Sequence, residues 1–180
     1  MTLVAGTEPY AWPYDERVEA PTLALVLAGW DAAWRERAAD GGDAAGPACA
    51  ELAVAVAAFG GAVVTVAHGG PPLDPPVPSA VAVTAVGLDG FWGGPLETVL
   101  RAAGRTHLLV AGHGLEGPVH SLLRGANDRG FECLLVVDAT SALDPELRDA
   151  SASMVCMSGG IFGAVGTTAA VLSTIEGGTP

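Results

Sequence analysis

The residues best placed to do chemistry sit in one short loop: Gly112, His113, Gly114, Leu115, Glu116, Gly117, Pro118 and Val119. Ahead of it the apolar run 108–111 reads as a buried strand, and behind it residues 120–126 read as a helix. A strand, a tight turn and a helix start suit a nucleophile, because the helix dipole lowers the pKa of a thiol there and free backbone N–H groups can bind an oxyanion. Pro118 stands at that helix start. Proline has no thiol, no hydroxyl and no N–H, whereas its fixed φ suits the first helical position. The loop is therefore suited to folding and unsuited to nucleophilic attack.

Other chemistry can be drawn from the same neighbourhood. His113 and Glu116 could act as an acid–base pair, with Asp31 and His120 as further polar neighbours, since histidine titrates near neutrality. Such a pair would still lack a nucleophile. Gly112, Gly114 and Gly117 also spell Gly-x-Gly-x-x-Gly, with Asp138 at a suitable distance to meet a ribose, which is a dinucleotide-binding pattern. That reading places Pro118 inside a helix, where it clashes, and the pattern comes late in the chain instead of after the first strand. Glycines that allow a tight turn explain it more simply. His68 ends a strand at the edge where α/β sheets bind ligands, yet a polar loop role is favoured. Cys156 and Ser158 have no Gly-x-Ser-x-Gly elbow and no paired base, so packing and turn roles are expected. Trp30, Trp34 and Trp92 are expected in the core or at an interface.

Several stretches carry a family resemblance. Thr106-His107-Leu108-Leu109-Val110-Ala111-Gly112, then the run from Ala126-Asn127-Asp128-Arg129-Gly130-Phe131 to Asp138-Ala139, then Gly159-Gly160-Ile161-Phe162-Gly163-Ala164-Val165 resemble the isochorismatase-like cysteine hydrolases. The opening Tyr10-Ala11-Trp12-Pro13-Tyr14-Asp15, and Phe91-Trp92 followed by Leu96-Glu97, look closest to the branch of biuret hydrolase and N-carbamoylsarcosine amidase. The resemblance spans nearly the whole chain. It implies a three-layer α/β/α fold and cleavage of amide or related bonds by a cysteine nucleophile, an aspartate base and a lysine.

Carried onto this chain, the resemblance puts Gly29 in the aspartate's place, Ala85 in the lysine's and Pro118 in the cysteine's. All eight basic side chains are arginines, so the lysine is absent and not displaced. Arginine stays charged and cannot shuttle a proton near neutral pH. The residues left to line a pocket are Trp30, Asp31, Phe91, Trp92, His113 and Glu116. Relatives that hold a metal use an Asp-x-His pair, which does not occur here, and neither metal nor cofactor is expected. The segment 68–84, where the family builds part of its pocket, is short and rich in proline. The expected role is a non-catalytic subunit, in a homo-oligomer or in a hetero-oligomer with an active paralogue. The alternatives are a protein that binds a small molecule in the vacated pocket, which loss of two charged side chains would enlarge, or a residual hydrolase of C–N bonds using His113, Glu116 or Asp31.

Composition fits this picture. The chain has 180 residues, half of them apolar and 16% charged, which supports one domain over 1–180 with an N-terminal arm at 1–20 and a proline-rich loop at 68–80. A net charge of −12 with scattered arginines excludes a phosphate-binding surface, so no nucleic-acid partner is expected. Cys49, Cys133 and Cys156 lack metal-ligand spacing and fit reduced, buried thiols. No signal-like segment opens the chain and no apolar stretch reaches the length of a membrane span, so a cytoplasmic location is expected.

The elements that must position the loop read as an alternation of strands and helices. Strands are expected at 23–28, 62–67, 81–86, 108–111 and 132–138, and a last one at 154–157. Helices are expected at 47–59, 95–103, 118–129 and from 167 to about 175, the last capped by Thr167. Such alternation makes a parallel sheet covered by helices on both faces.

Overall fold

The computed structural model describes residues 18–177. Six strands form one sheet: β1 (Leu23–Ala28), β2 (Ala62–Ala67), β3 (Val81–Thr84), β4 (His107–His113), β5 (Glu132–Ser141) and β6 (Ala164–Gly166). Their order is β3-β2-β1-β4-β5-β6 and every pairing is parallel. The helices are α1 (Ala32–Arg37), α2 (Ala45–Phe59), α3 (Leu96–Ala102), α4 (His120–Asp128), α5 (Arg148–Gly160) and α6 (Thr168–Gly177). Fully buried runs such as Leu-Ala-Leu-Val-Leu-Ala in β1 belong at the centre of a parallel sheet, which is covered on both faces.

Alternation along β1 divides the core. Ala24, Val26 and Ala28 face a cluster built with Leu96 and Leu100 of α3, Leu122 and Leu123 of α4 and Val155 of α5. Leu23, Leu25 and Leu27 face a second cluster with Cys49, Leu52 and Val56 of α2 and Val171 and Ile175 of α6. Truncating a fully buried leucine such as Leu25 to alanine costs about 2–5 kcal/mol through lost burial and a residual cavity. Because β1 lies between β2 and β4, the chain order reverses there, and the carboxyl ends of β1 and β4 flank the switch point where such sheets bind ligands.

Some expectations need correction. Residues 154–157 are not a strand but part of α5, and the last strand is Ala164–Gly166. Val155 is buried while Met154 and Met157 are half-exposed, a helical pattern that a four-residue apolar run does not reveal. Asp144 caps the approach to this helix, its carboxylate accepting from the Glu146 N–H, with Pro145 next. The helix expected from 118 begins at His120, because a wide turn, Leu115–Val119, precedes it and Gly117 breaks the helical backbone with φ −110° and ψ −106°. β3 ends at Thr84, two residues early, at the edge of the sheet. β4 and β5 run longer than expected, and a register shift between Val110 and Gly112 sets Thr140 and Ser141 opposite Gly112 and His113. Most of the arm expected at 1–20, including the Tyr10 to Asp15 motif, lies outside the described residues.

Candidate functional site

The topology collects the three key positions at the carboxyl edge. Gly29 follows β1, Ala85 follows β3, and Pro118 lies in the turn after β4. Gly29 has φ +61°, and a Cβ built on it would strike the His113 carbonyl oxygen and lie 3.2 Å from Pro118 Cγ. Gly29 and Pro118 therefore face each other at packing distance. An aspartate does not fit on this backbone, being excluded by the positive φ and by the carbonyl. The space expected to open at Gly29 is taken by Pro118, which corrects the notion of an enlarged pocket at that point. Ala85 is buried with Ala28, Leu115, Val119 and Phe91, and its N–H donates to Ala67 O at 2.9 Å.

Around Pro118 the backbone donors are engaged within the protein. Gly117 and Val119 both donate their N–H groups to Gly114 O, at 3.0 and 3.3 Å, and Gly114 N–H donates to Ser141 O at 3.0 Å. Trp34 lies on top: a Cβ at Gly114 would come within 2.9 Å of its ring, and one at Gly117 within 3.2 Å. The two glycines thus form a flat floor for an indole that is 9% exposed. A dinucleotide does not fit this arrangement, since Trp34 covers the glycines and Asp138 Oδ1 already accepts from the Thr168 N–H at 2.8 Å and hydroxyl at 3.0 Å.

The six expected pocket residues separate. Trp30 stacks on His113, with ring centroids 5.4 Å apart and planes 15° from parallel, and its Nε1–H donates to Asp74 O at 3.0 Å. His113 Nδ1 meets Ser141 Oγ at 3.0 Å. Burial, and then the nearby Arg35 charge, push the His113 pKa below the usual imidazole value, so the ring is neutral at neutral pH. Asp31 is fully buried and caps α1: Oδ1 accepts from Trp34 N–H at 3.1 Å and Oδ2 from His68 N–H at 2.7 Å. Glu116 accepts from Leu143 N–H at 2.8 Å and Asp144 N–H at 3.0 Å. Phe91 is a core residue stacked on Phe131 at 5.7 Å, under Arg129, whereas Trp92 is 65% exposed. The acid–base pair of His113 and Glu116 does not assemble, because each group is engaged by a different partner.

Trp30 and His113 do share a cleft, of about 510 Å³, on the α2 side of the edge. Arg35, Pro47, Leu73 and Asp74 complete its walls, while Gly29, Ala85 and Pro118 do not line it. The short proline-rich segment supplies one wall because it is tied down: Leu73 N–H donates to Trp30 O at 3.1 Å and Ala32 N–H to Pro71 O at 3.0 Å. Sequence reasoning missed Ser141, Arg35 and Asp74. Only the shifted pairing of β4 with β5 brings Ser141 to His113, and that register leaves no mark in a linear motif.

Among the described residues no cluster of three His, Cys, Asp or Glu side chains could hold a metal ion. Nor is there a displaced thiolate. Burial pushes Cys49 up to about 12 and Cys133 higher still, and it also raises Cys156 on α5. Such thiols stay protonated near neutrality and behave as small apolar groups. No helix of the described residues is long and apolar enough to cross a membrane.

The sequence model described as Isochorismatase domain matches residues 31–170. The fold is similar to that of a cysteine hydrolase from Pseudomonas syringae pv. phaseolicola 1448A, with a TM-score of 0.76, 19% identity and coverage of 89% of this chain and 95% of that one. It is similar to an isochorismatase family protein from Burkholderia thailandensis, with a TM-score of 0.68, 25% identity and coverage of 87% and 96%. It is also similar to N-carbamoylsarcosine amidase from Thermoplasma acidophilum, with a TM-score of 0.68, 18% identity and coverage of 82% and 96%.

Proposed function

This chain belongs to the isochorismatase family, and on that premise we propose that it is a non-catalytic member, serving as a structural or regulatory subunit of an amidohydrolase assembly. The observation that carries the reading is the contact between Gly29 and Pro118. A cysteine-dependent amide hydrolase needs a thiolate, a base beside it and donors for the oxyanion. Here the two facing positions hold a glycine that cannot accept a side chain and a proline without an N–H, and the adjacent amides are spent on Gly114 O. The third position, Ala85, is a methyl group packed among apolar neighbours. Close packing at the switch point supports a site remodelled for stability.

The test is hydrolysis of a panel of ureas, amides and carbamoyl compounds by the purified chain, with and without an isochorismatase-family paralogue that carries the Asp-Lys-Cys triad. No turnover alone, with altered paralogue activity in a stable complex, is the expected result. Turnover by the chain alone overturns the reading.

A second reading is favoured by the cleft at Trp30 and His113, whose indole and imidazole wall, with Pro47 and Leu73, suits a small planar ligand. A ligand that binds there raises Tm with its concentration, and Trp30→Ala abolishes that rise.

A further inference from the structure

The cleft at Trp30 and His113 carries opposite charges that do not meet. Arg35 enters it from α1, and Asp74 enters it from the proline-rich segment that forms another wall. Both are exposed, and neither side chain forms a hydrogen bond or an ion pair among the described residues. Asp43, just ahead of α2, adds a second unpaired carboxylate at the rim. A cation and two anions thus line one cavity of about 510 Å³ without neutralising one another.

The fold holds these groups in place. Gly42, at φ +77°, brings its loop down on Arg35 and His113, where a Cβ would come within 2.6 Å of Arg35 Cγ and 2.7 Å of His113 Cε1. Asp40 fixes that loop by accepting from Gly42 N–H at 2.9 Å and Ala44 N–H at 3.1 Å. The stem of Arg35 is therefore pinned beside the imidazole, and its charge adds to burial in lowering the His113 pKa. Asp74 is anchored by its own carbonyl, which accepts Trp30 Nε1–H at 3.0 Å. The 15-residue helix α2 opens on the cleft with Gly46 and Pro47, and it has no acidic residue in its first turn and no side-chain cap, so its positive end is not neutralised there.

Beneath the charges lies a polar atom with nothing to bond. His113 is 1% exposed and lines the cleft, and its Nδ1 meets Ser141 Oγ, while Nε2 has no hydrogen-bond partner among the described residues. A buried ring nitrogen is stabilised when a ligand or a water completes its bonding. With Ser141 Oγ donating to Nδ1, the neutral ring carries its proton on Nε2 and offers a donor beside Arg35.

Resting on the ligand reading of this same cavity, we infer that it takes a small zwitterion, an amino acid with a flat side chain. The carboxylate meets Arg35, His113 Nε2–H and the start of α2. The ammonium meets Asp74, and the flat side chain lies along Trp30. A ligand with a carboxylate alone leaves Asp43 and Asp74 facing an anion, and a ligand with an ammonium alone leaves Arg35 facing a cation. The cavity has the volume of an ordinary small-molecule site. Gly29, Ala85 and Pro118 do not line it, so the site binds without cleaving.

Calorimetric titration of the full chain with free phenylalanine tests it, beside hydrocinnamate and phenethylamine, which keep the ring and carry one charge each. Phenylalanine binds saturably, and each analogue binds at least about tenfold more weakly for want of one charge-assisted contact. Arg35→Gln weakens phenylalanine by a similar factor and leaves phenethylamine unchanged. Asp74→Asn weakens phenylalanine and leaves hydrocinnamate unchanged. Both substitutions lie at exposed positions and do not lower Tm in the absence of ligand. No binding of phenylalanine, or binding that neither substitution weakens, overturns the inference. An analogue that binds as tightly as phenylalanine overturns the zwitterion and leaves the planar-ligand reading standing, whereas failure of all three ring compounds removes both.

Discussion

Gly29 and Trp30 are adjacent in sequence and lead into two regions of different character. Gly29 meets Pro118 and the His113 carbonyl, beside a turn in which the Gly117 and Val119 N–H groups bond Gly114 O and whose glycines lie under Trp34. Trp30 turns to the α2 side, stacks on His113 and lines an open cleft of about 510 Å³. The first region is packed shut, and the second holds polar groups that face a cavity. The difference teaches that small residues at a switch point need not leave a hole. Where backbone from two strands converges at the switch point, small residues let the chain close upon itself, and on the α2 side open volume survives where bulky side chains hold α2 and the proline-rich segment apart.

The contrast can be broken most strongly through Trp34. Trp34→Ala removes the ring that covers Gly114 and Gly117 and is expected to cost about 3 kcal/mol, read as a fall in Tm. Restoring an acid by Gly29→Asp is expected to destabilise by about 2 kcal/mol or more, because the side chain meets backbone at a positive φ, and to confer no hydrolysis even with Ala85→Lys and Pro118→Cys. An active triple variant would show that the sealed region opens readily. Asp31→Ala is expected to cost about 1–2 kcal/mol by leaving the Trp34 and His68 N–H groups without their acceptor. Trp30→Ala, at a residue 7% exposed in the α2-side core, is expected to cost about 3 kcal/mol as well and, unlike Trp34→Ala, to abolish any rise of Tm with a ligand of the cleft.

The smallest effect is a pH dependence. The pKa values of His68, His107, His113 and His120 are all lowered, with burial as the leading cause. An unfolded histidine takes up a proton near pH about 6.5 while the folded one resists it, so the unfolded state binds more protons and stability rises with pH in that window. Stability present above that pH is lost as the pH falls through the lower folded values. Denaturant midpoints measured between pH 7 and 5 should decline, and His113→Gln should flatten part of the slope.

Much of the fold was legible because its signals are local. The continuous apolar runs of β1 and β2 were read with their observed bounds, and Thr167 does cap α6, accepting from the Ala170 N–H at 3.3 Å. α5 was misread because Met154-Val155-Cys156-Met157 is too short an apolar run to tell strand from helix, although Asp144-Pro145 signalled a helical entry. At the site, the family resemblance singled out Gly29, Ala85 and Pro118, but not the contact between the first and the last. The indole over Gly114 and Gly117, the link from His113 to Ser141 and the spent carboxylates of Asp31 and Glu116 depend on long-range register, which a single sequence does not carry.

The most direct measurement is the rate at which the purified chain alone hydrolyses amides, ureas and carbamoyl compounds at high protein concentration, compared with buffer and with the His113→Ala variant. A rate equal to buffer for both proteins is the predicted result. Turnover that exceeds buffer and disappears in His113→Ala would contradict the non-catalytic account and move the chemistry to the Trp30–His113 cleft.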